Sequence, residues 1–147
     1  MISRTAQHAI RAVVHLARLE DGSFVGAAKL SETTGAPPNY LGKLMQSLAA
    51  VGLLESRKGA HGGFALAAPA HSIRLLDVVE PIDGVSRWEG CFLGQSTCSV
   101  DNACAVHERW ALLRDEYLGL LRDTTIAELV AARELDPLGT LVRKRSP

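Results

Sequence analysis

The chain has 147 residues, of which 47% are hydrophobic and 22% are charged. This length supports one compact core and is too short for two full-sized domains. No apolar run approaches the length of a membrane span, and Arg4, Arg11 and Arg18 interrupt the region where a signal peptide would be apolar. We therefore expect a cytoplasmic protein with no membrane partner. Three cysteines, an odd number, favour a metal or redox site over a disulfide framework.

The formal net charge of zero hides an asymmetry between the two halves of the chain. Residues 1–70 hold seven Lys and Arg against four Asp and Glu, whereas residues 71–147 hold nine against twelve. The N-terminal half is therefore the one that could face a polyanion, although an ordinary solvated surface gives the same mild signal.

The N-terminal third predicts three helices. Apolar residues at helical spacing indicate an amphipathic helix over residues 3–19, ended by Asp21-Gly22. A shorter helix over 25–33, a tight turn at 34–36 and a third helix that opens at Pro37-Pro38 and closes at Gly52 follow. Two helices joined by a short turn with glycine are typical of a helix-turn-helix.

The third helix has two faces of different chemistry. Leu41, Leu44, Met45 and Leu48 recur at inward-facing positions. The opposite face carries groups that can bond to phosphates and base edges, with no carboxylate among them. These candidate DNA-binding residues are Asn39, Tyr40, Lys43, Gln46 and Ser47. A helical hairpin that binds nothing can share this pattern.

A predicted hairpin follows the third helix. Residues 53–57 and 63–66 read as two strands, and a glycine-rich stretch joins them. A hairpin directly after a recognition helix is a wing, which can approach phosphates or enter the minor groove. The candidate DNA-binding residues of this wing are Arg57, Lys58, His61 and Gly62. The other interpretation is an ordinary hairpin with solvated basic residues.

The second half of the chain predicts further helices. One ends near Pro81, a loop follows over 82–90, and a longer helix runs over 103–122. A last helix over 125–135 starts with a capping box. The longer helix carries an apolar stripe suited to a second helix, which favours a homodimer but could also pack on the same chain. The stripe consists of Val106, Trp110, Leu113, Tyr117 and Leu120.

These elements predict a mostly α fold with a small β-hairpin wing, that is, a winged helix-turn-helix plus a long C-terminal dimerisation helix. We expect four segments along the chain. They are a DNA-binding domain at 1–82, a cysteine-rich loop at 83–104, dimerisation helices at 103–136 and a disordered tail at 137–147.

All three cysteines lie in one loop of small, polar and turn-forming residues. Six residues separate Cys91 from Cys98, five separate Cys98 from Cys104, and two precede His107. Three thiolates and an imidazole suit an iron-sulfur cluster or zinc. The wide spacing favours a cluster, because structural zinc ligands usually come in close pairs. Free or redox-paired thiols are the third possibility.

The wing sequence over 57–64, Tyr40-Leu41 and the three spaced cysteines together resemble the IscR/NsrR type of bacterial regulator, also called the Rrf-two family. The resemblance extends over about residues 2–135. It implies a homodimeric winged helix-turn-helix regulator that binds double-stranded promoter DNA. It also implies that the protein senses iron-sulfur, redox or nitric oxide status through a bound cluster.

The resemblance also implies a ligand set. Cys91, Cys98 and Cys104 would bind the cluster, and His107 matches the histidine ligand of the cluster-biogenesis regulators. Nitric oxide sensors of the family use an acidic residue where this chain has Gln7. We therefore expect [2Fe-2S] ahead of [4Fe-4S]. The chain departs from the biogenesis regulators in its six-residue gap after Cys91, where they have five.

Position 42 is a second departure. Gly42 stands where the biogenesis regulators carry an acidic residue that rejects one class of DNA site, so operator preference does not carry over.

Two rival functions remain. One is a cluster-free regulator that senses redox state by a disulfide, and the other is an enzyme with Cys104 as nucleophile and His107 as base. The sequence supplies no third group that would orient His107 as a base, so we expect that the protein is not an enzyme.

Overall fold

The computed structural model describes residues 1–19, 22–96 and 98–132, with only the backbone of Trp88 and Glu89. Within these ranges the chain forms helices and one two-stranded antiparallel sheet. The helices are α1 (Arg4–Ala17), α2 (Ala27–Thr34), α3 (Pro38–Ala50), α4 (Leu75–Asp83), α5 (His107–Asp123) and α6 (Ile126–Ala131). The strands are β1 (Leu54–Arg57) and β2 (Gly63–Leu66). None of the helices in the described ranges is long and apolar enough to cross a membrane.

Helix α1 is anchored at its first turn to the end of α4. The Ser3 hydroxyl oxygen accepts a hydrogen bond from the backbone N–H of Ala6 at 3.1 Å, as an N-cap should. The backbone N–H and the hydroxyl of Ser3 donate to the carboxylate of Asp83 at 2.7 and 2.5 Å. The start of α1 and the end of α4 are therefore held together.

The helix-turn-helix forms as predicted. Gly35 adopts a left-handed conformation with φ of +70° after α2, a conformation that glycine reaches without steric cost. Pro38 opens α3, where its missing N–H leaves no bond unmade. All four inward positions of α3 are buried, and Gly52 follows the helix with φ of +79°. The predicted helical period is confirmed.

The wing is the predicted hairpin. Its strands pair in antiparallel register from Leu54 with Leu66 to Arg57 with Gly63. The hairpin is attached to the segment before α2, because Val25 and Phe64 exchange two backbone hydrogen bonds of 3.0 and 2.9 Å. The wing is thus fixed to the segment before α2 by this pair of backbone hydrogen bonds.

Two hydrophobic clusters hold the chain together. The larger one joins α1, α2, α3 and the wing, and Ile126 of α6 is fully buried in it. The smaller one brings Ala6, Val79 and Val85 against Leu118 and Leu121 of α5. Backbone bonds from Leu75 to Thr124 and from Ile126 to Ile73 add to this attachment. The C-terminal helices therefore pack directly on the N-terminal unit.

Three predicted boundaries were wrong. Helix α4 continues through Pro81 to Asp83, since proline removes one hydrogen bond while Val78, Val79 and Ile82 keep this segment packed. Val85–Glu89 forms a 3-10 helix where a loop was expected. Helix α5 begins at His107 and not near 103, because Ala103 has an extended backbone.

The mostly α fold with a hairpin wing is confirmed. The predicted end of the last helix beyond residue 132, the tail at 137–147 and the proposed role of Asp21 in ending α1 lie outside the described residues. The division of the chain at residues 82, 104 and 136 stays a prediction.

The capping box of α6 predicts a pH-dependent stability. Glu128 accepts hydrogen bonds from the backbone N–H of Thr125 at 2.6 Å and from its hydroxyl at 3.1 Å, which lower the pKa of Glu128 from its ordinary 4.5. A lowered folded-state pKa stabilises the protein above pH 4.5 and loses this effect as the pH falls through the lowered value. Glu128→Gln should therefore flatten the acid limb of the unfolding free energy, measured by urea denaturation at several pH values. The exposed Glu116→Gln serves as the control, and equal profiles for the two variants would contradict this role.

Candidate nucleic-acid interface and cysteine loop

The outer face of α3 presents all five side chains that the sequence nominates. Asn39, Tyr40, Lys43, Gln46 and Ser47 are exposed. Two of these side chains are also tied to the rest of the protein. The Tyr40 hydroxyl donates to Thr5 Oγ1 of α1 at 2.6 Å, and Gln46 Nε2 donates to Ser56 Oγ of β1 at 2.9 Å. The face is therefore held in a fixed orientation relative to α1 and the wing.

Position 42 also belongs to α3 and has room for a Cβ atom. A Cβ built on Gly42 would lie 3.5 Å from the Cβ of Ala27, which is an ordinary van der Waals contact. Packing therefore does not require glycine at this position.

The wing presents Lys58 and His61 to solvent, as predicted. The guanidinium of Arg57 stacks on the ring of Phe24, with its central carbon 4.1 Å from the ring centroid. Packing requires glycine at position 62, because a Cβ there would lie 2.1 Å from the carbonyl oxygen of Arg57. The sequence did not reveal that Phe24 contacts Arg57 or that Thr5 bonds to Tyr40, because the members of each pair lie far apart along the chain.

The Arg57–Phe24 contact predicts a modest effect on DNA binding. Phe24→Leu should weaken promoter binding several-fold, because an exposed cation–π contact contributes about 0.5–1 kcal/mol to positioning the guanidinium. The measurement is a fluorescence anisotropy titration at fixed salt. Phe24→Leu should add little on a background of Arg57→Gln, and full additivity of the two effects would contradict the coupling.

In the cysteine loop the structure brings the four predicted ligands together as two pairs. Cys98 Sγ lies 3.3 Å from His107 Nδ1 at the start of α5. The side chain of Cys104 lies close enough to Cys91 to help lower the pKa of its thiol. All three thiols are half-buried and none forms a disulfide. Among the described residues, no three His, Cys, Asp or Glu side chains lie close enough together to hold one metal ion.

The Cys91 thiol has an environment that favours its anion. A hydrogen bond from the backbone of Gln95 lowers the pKa of Cys91 most, and bonds from Leu93, Cys104 and Gly94 add to it against a smaller opposing effect of burial. Thiolates are the metal-binding and nucleophilic form of cysteine. Cys91 is therefore suited to either metal binding or redox chemistry.

Trp110 anchors the loop to α5. Its indole Nε1–H donates to the carbonyl of Gly90 at 3.0 Å, and its ring packs against Phe92 with centroids 5.3 Å apart. Phe92 and Leu93 are nevertheless largely exposed. The proposed shielding of a metal centre by Trp88 concerns a side chain outside the described part of the structure.

Helix α5 uses one side for its own chain and leaves another apolar side exposed. Leu118 and Leu121 are buried and Tyr117 packs beside them. Leu113 and Leu120 from the predicted stripe are 67% and 57% exposed. The predicted stripe is therefore split between packing on the same chain and an apolar surface that faces solvent.

A helix-turn-helix followed at once by a hairpin, with a polar recognition helix, defines a winged helix-turn-helix DNA-binding protein. Comparison with known proteins narrows this class. The family model described as "Rrf2: Iron-dependent Transcriptional regulator" matches residues 2–132. The chain therefore belongs to the Rrf2 family of transcriptional regulators, whose members bind DNA.

The relatives agree with this assignment. An HTH-type transcriptional regulator of Aquifex aeolicus is 31% identical over 136 residues, which cover 91% of this chain and 94% of the relative. The HTH-type transcriptional regulator IscR of Escherichia coli is 29% identical over 134 residues, covering 91% and 82%. The structure of CymR, titled the global cysteine regulator of Bacillus subtilis, superposes with a TM-score of 0.75 at 22% identity and covers 91% of this chain and 98% of that one. These are non-enzymatic regulators, so the expectation that the chain is not an enzyme is confirmed.

Proposed function

We propose that this protein is a homodimeric transcriptional regulator that binds double-stranded promoter DNA and senses iron-sulfur or redox status through the loop from Cys91 to His107. The observation that carries the proposal is the contact of Cys98 Sγ with His107 Nδ1 at 3.3 Å. It joins a thiol of the loop to the first residue of α5. A change at this contact can therefore reach the helix that we assign to dimerisation.

The DNA-binding part of the proposal is supported by two surfaces, the outer face of α3 and the wing, which we assign to DNA. The outer face of α3 offers Lys43 and amide and hydroxyl groups, which suit phosphates and base edges. The wing offers Arg57, Lys58 and His61. The hydrogen bond from Gln46 to Ser56 joins the two surfaces, so we infer that they engage DNA as a unit.

The homodimer is supported by the exposed side of α5. Leu112, Leu113 and Leu120 are all more than half exposed on one helix. Apolar groups at such spacing suit a second helix. Two recognition helices at a fixed separation would then read two half-sites, as helix-turn-helix dimers do.

The chemistry of the donor set fits an iron-sulfur cluster. Cys91, Cys98, Cys104 and His107 would hold it, three through sulfur and one through an imidazole nitrogen. When bound, such a cluster supplies one-electron redox chemistry. The two pairs would have to close into a single site, with Trp110 keeping the start of the loop on α5 through its bond to Gly90. We assign [2Fe-2S] ahead of [4Fe-4S] because His107 resembles the histidine ligand of the biogenesis regulators.

The contact between Cys91 and Cys104 supports a second candidate, a cluster-free thiol sensor. The backbone of Gln95 contributes most to lowering the pKa of Cys91, and the nearby side chain of Cys104 adds to it. A peroxide would oxidise the Cys91 thiolate to a sulfenic acid, and the second thiol would then displace water from that sulfur to form the disulfide. In this candidate Cys91 and Cys104 form the reversible pair and Cys98 stays reduced beside His107.

An anaerobic absorption spectrum of the freshly purified protein, with iron and acid-labile sulfide analysis, separates the two candidates. We expect visible absorption bands and about equal amounts of iron and sulfide per chain. A protein that stays colourless after reconstitution, with Cys91 and Cys104 oxidising as a pair, would favour the thiol sensor. Promoter binding measured on the same preparation tests the DNA-binding part independently.

A further inference from the structure

A cavity of about 520 Å³ lies between the cysteine loop and α5. The loop side consists of Gly90, Ser96 and Cys98, and the helix side consists of Arg114, Asp115, Leu118 and Arg122. A volume of this size is in the range of small-molecule sites. Nothing in the DNA-binding or cluster-binding role requires two arginines at this place.

The cavity carries an excess of positive charge. Arg114, Leu118 and Arg122 are spaced by four residues, which places them on the same side of α5. Among the described side chains of the lining, one carboxylate lies near them, that of Asp115. These described side chains therefore combine two guanidinium groups with one carboxylate.

The guanidinium of Arg114 is fixed in place. Its Nε and Nη2 both lie 3.1 Å from a single oxygen, Oδ1 of Asp115. Its side chain is 19% exposed, whereas that of Asp115 is 69% exposed. A guanidinium carries five N–H donors, so it can bind a second acceptor beside this carboxylate oxygen.

Arg122 supplies the second positive group. Within the described part of the chain no carboxylate forms an ion pair with it. Leu118 between the two arginines gives the cavity an apolar wall, and the Ser96 hydroxyl adds a polar group from the loop. Two guanidinium groups around an apolar wall suit an organic molecule that carries a carboxylate or phosphate.

We propose that this cavity binds a small organic anion between the cysteine loop and α5. Its carboxylate or phosphate group lies between Arg114 and Arg122, and its carbon skeleton lies over Leu118. Of the four proposed cluster ligands, the lining described here includes Cys98. The anion site is therefore distinct from the cluster site. It also lies on a different side of α5 from Leu113 and Leu120, the leucines that we assign to the dimer.

The occupant bridges the loop and α5. In the described residues these two elements are joined by the Trp110–Gly90 bond, the packing of Phe92 on Trp110 and the Cys98–His107 contact. A ligand held by both sides adds a further connection. The site is therefore an effector site in addition to the redox-sensing role.

Isothermal titration calorimetry with three probes at constant ionic strength tests this site. The probes are citrate, which offers only carboxylates, 3-phosphoglycerate, which offers a carboxylate and a phosphate, and inorganic phosphate. Binding of 3-phosphoglycerate without binding of citrate identifies the phosphate as the recognised group. We expect saturable binding of citrate or 3-phosphoglycerate at one site per chain. Arg122→Gln should weaken that binding at least tenfold. Arg109→Gln, which removes the same charge from an exposed position of the same helix, should leave it unchanged.

Three results would overturn the site. They are failure of both organic probes to bind, binding of inorganic phosphate alone, and equal weakening by Arg122→Gln and Arg109→Gln. Circular dichroism of each variant shows that the fold is kept. Iron analysis of the same samples keeps this test separate from the cluster, because a colourless protein that still binds citrate contradicts only the cluster.

Discussion

Replacing Gly63 by alanine will destabilise the protein by about 3 kcal/mol or more and weaken promoter binding. A Cβ at this position would lie 2.3 Å from both the carbonyl carbon and the carbonyl oxygen of Val25, and the backbone φ of +133° is one that L side chains rarely adopt. Backbone must move to admit the methyl group. The movement separates Val25 from Phe64 and so detaches the wing from the segment before α2. Because folded domains are stable by only about 5–15 kcal/mol, this is a large fraction of the total.

Gly59→Ala is the matched control for this effect. Gly59 also has a positive φ, +102°, but a Cβ there meets nothing within 4 Å. This variant therefore carries the backbone strain without the collision, at a cost of about 1–2 kcal/mol. Urea unfolding of both variants gives the difference. If Gly63→Ala were as stable as Gly59→Ala, the collision with Val25 would not be what requires glycine.

Replacing Cys98 by alanine should abolish iron binding while leaving the fold intact. The substitution removes one of four proposed ligands and also the sulfur that contacts His107 at 3.3 Å. The side chain is only half-buried and lies outside both hydrophobic clusters, so little packing is lost. Iron and sulfide analysis and circular dichroism measure the two parts of this prediction.

The control for Cys98→Ala is the neighbouring Ser99→Ala. Ser99 is half-buried in the same loop and carries no predicted ligand. Its iron content should equal that of the wild type. An unchanged iron content in Cys98→Ala would remove Cys98 from the ligand set, and loss of iron in both variants would indicate a general disturbance of the loop.

The sequence was sufficient to predict the helix-turn-helix and the wing, because both are specified by local patterns. Leu41, Leu44 and Leu48 reveal the buried face of α3 through their spacing alone. The same reasoning placed the end of α4 too early. Proline at position 81 is a local stop signal, but the buried Val78 and Val79 and the partly buried Ile82 come from contacts across the fold, which the local pattern does not contain.

The candidate site was predictable by residue type and not by pairing. Three cysteines and a histidine in one loop identify a soft donor set. The sequence does not tell which thiol meets His107, because that depends on how the loop lies on α5, which Trp110 sets through a hydrogen bond to a residue 20 positions earlier. The hydrogen bond from Tyr40 to Thr5 spans 35 positions and was missed for the same reason.

The space beside Gly42 has an evolutionary consequence. Because a Cβ there would meet only the Cβ of Ala27 at an ordinary 3.5 Å, an alanine at position 42 causes no collision in the packing. The resemblance to the biogenesis regulators associates this position with discrimination between DNA sites. The residue at position 42 of α3 can therefore be exchanged for alanine in a single mutational step without a collision at its Cβ.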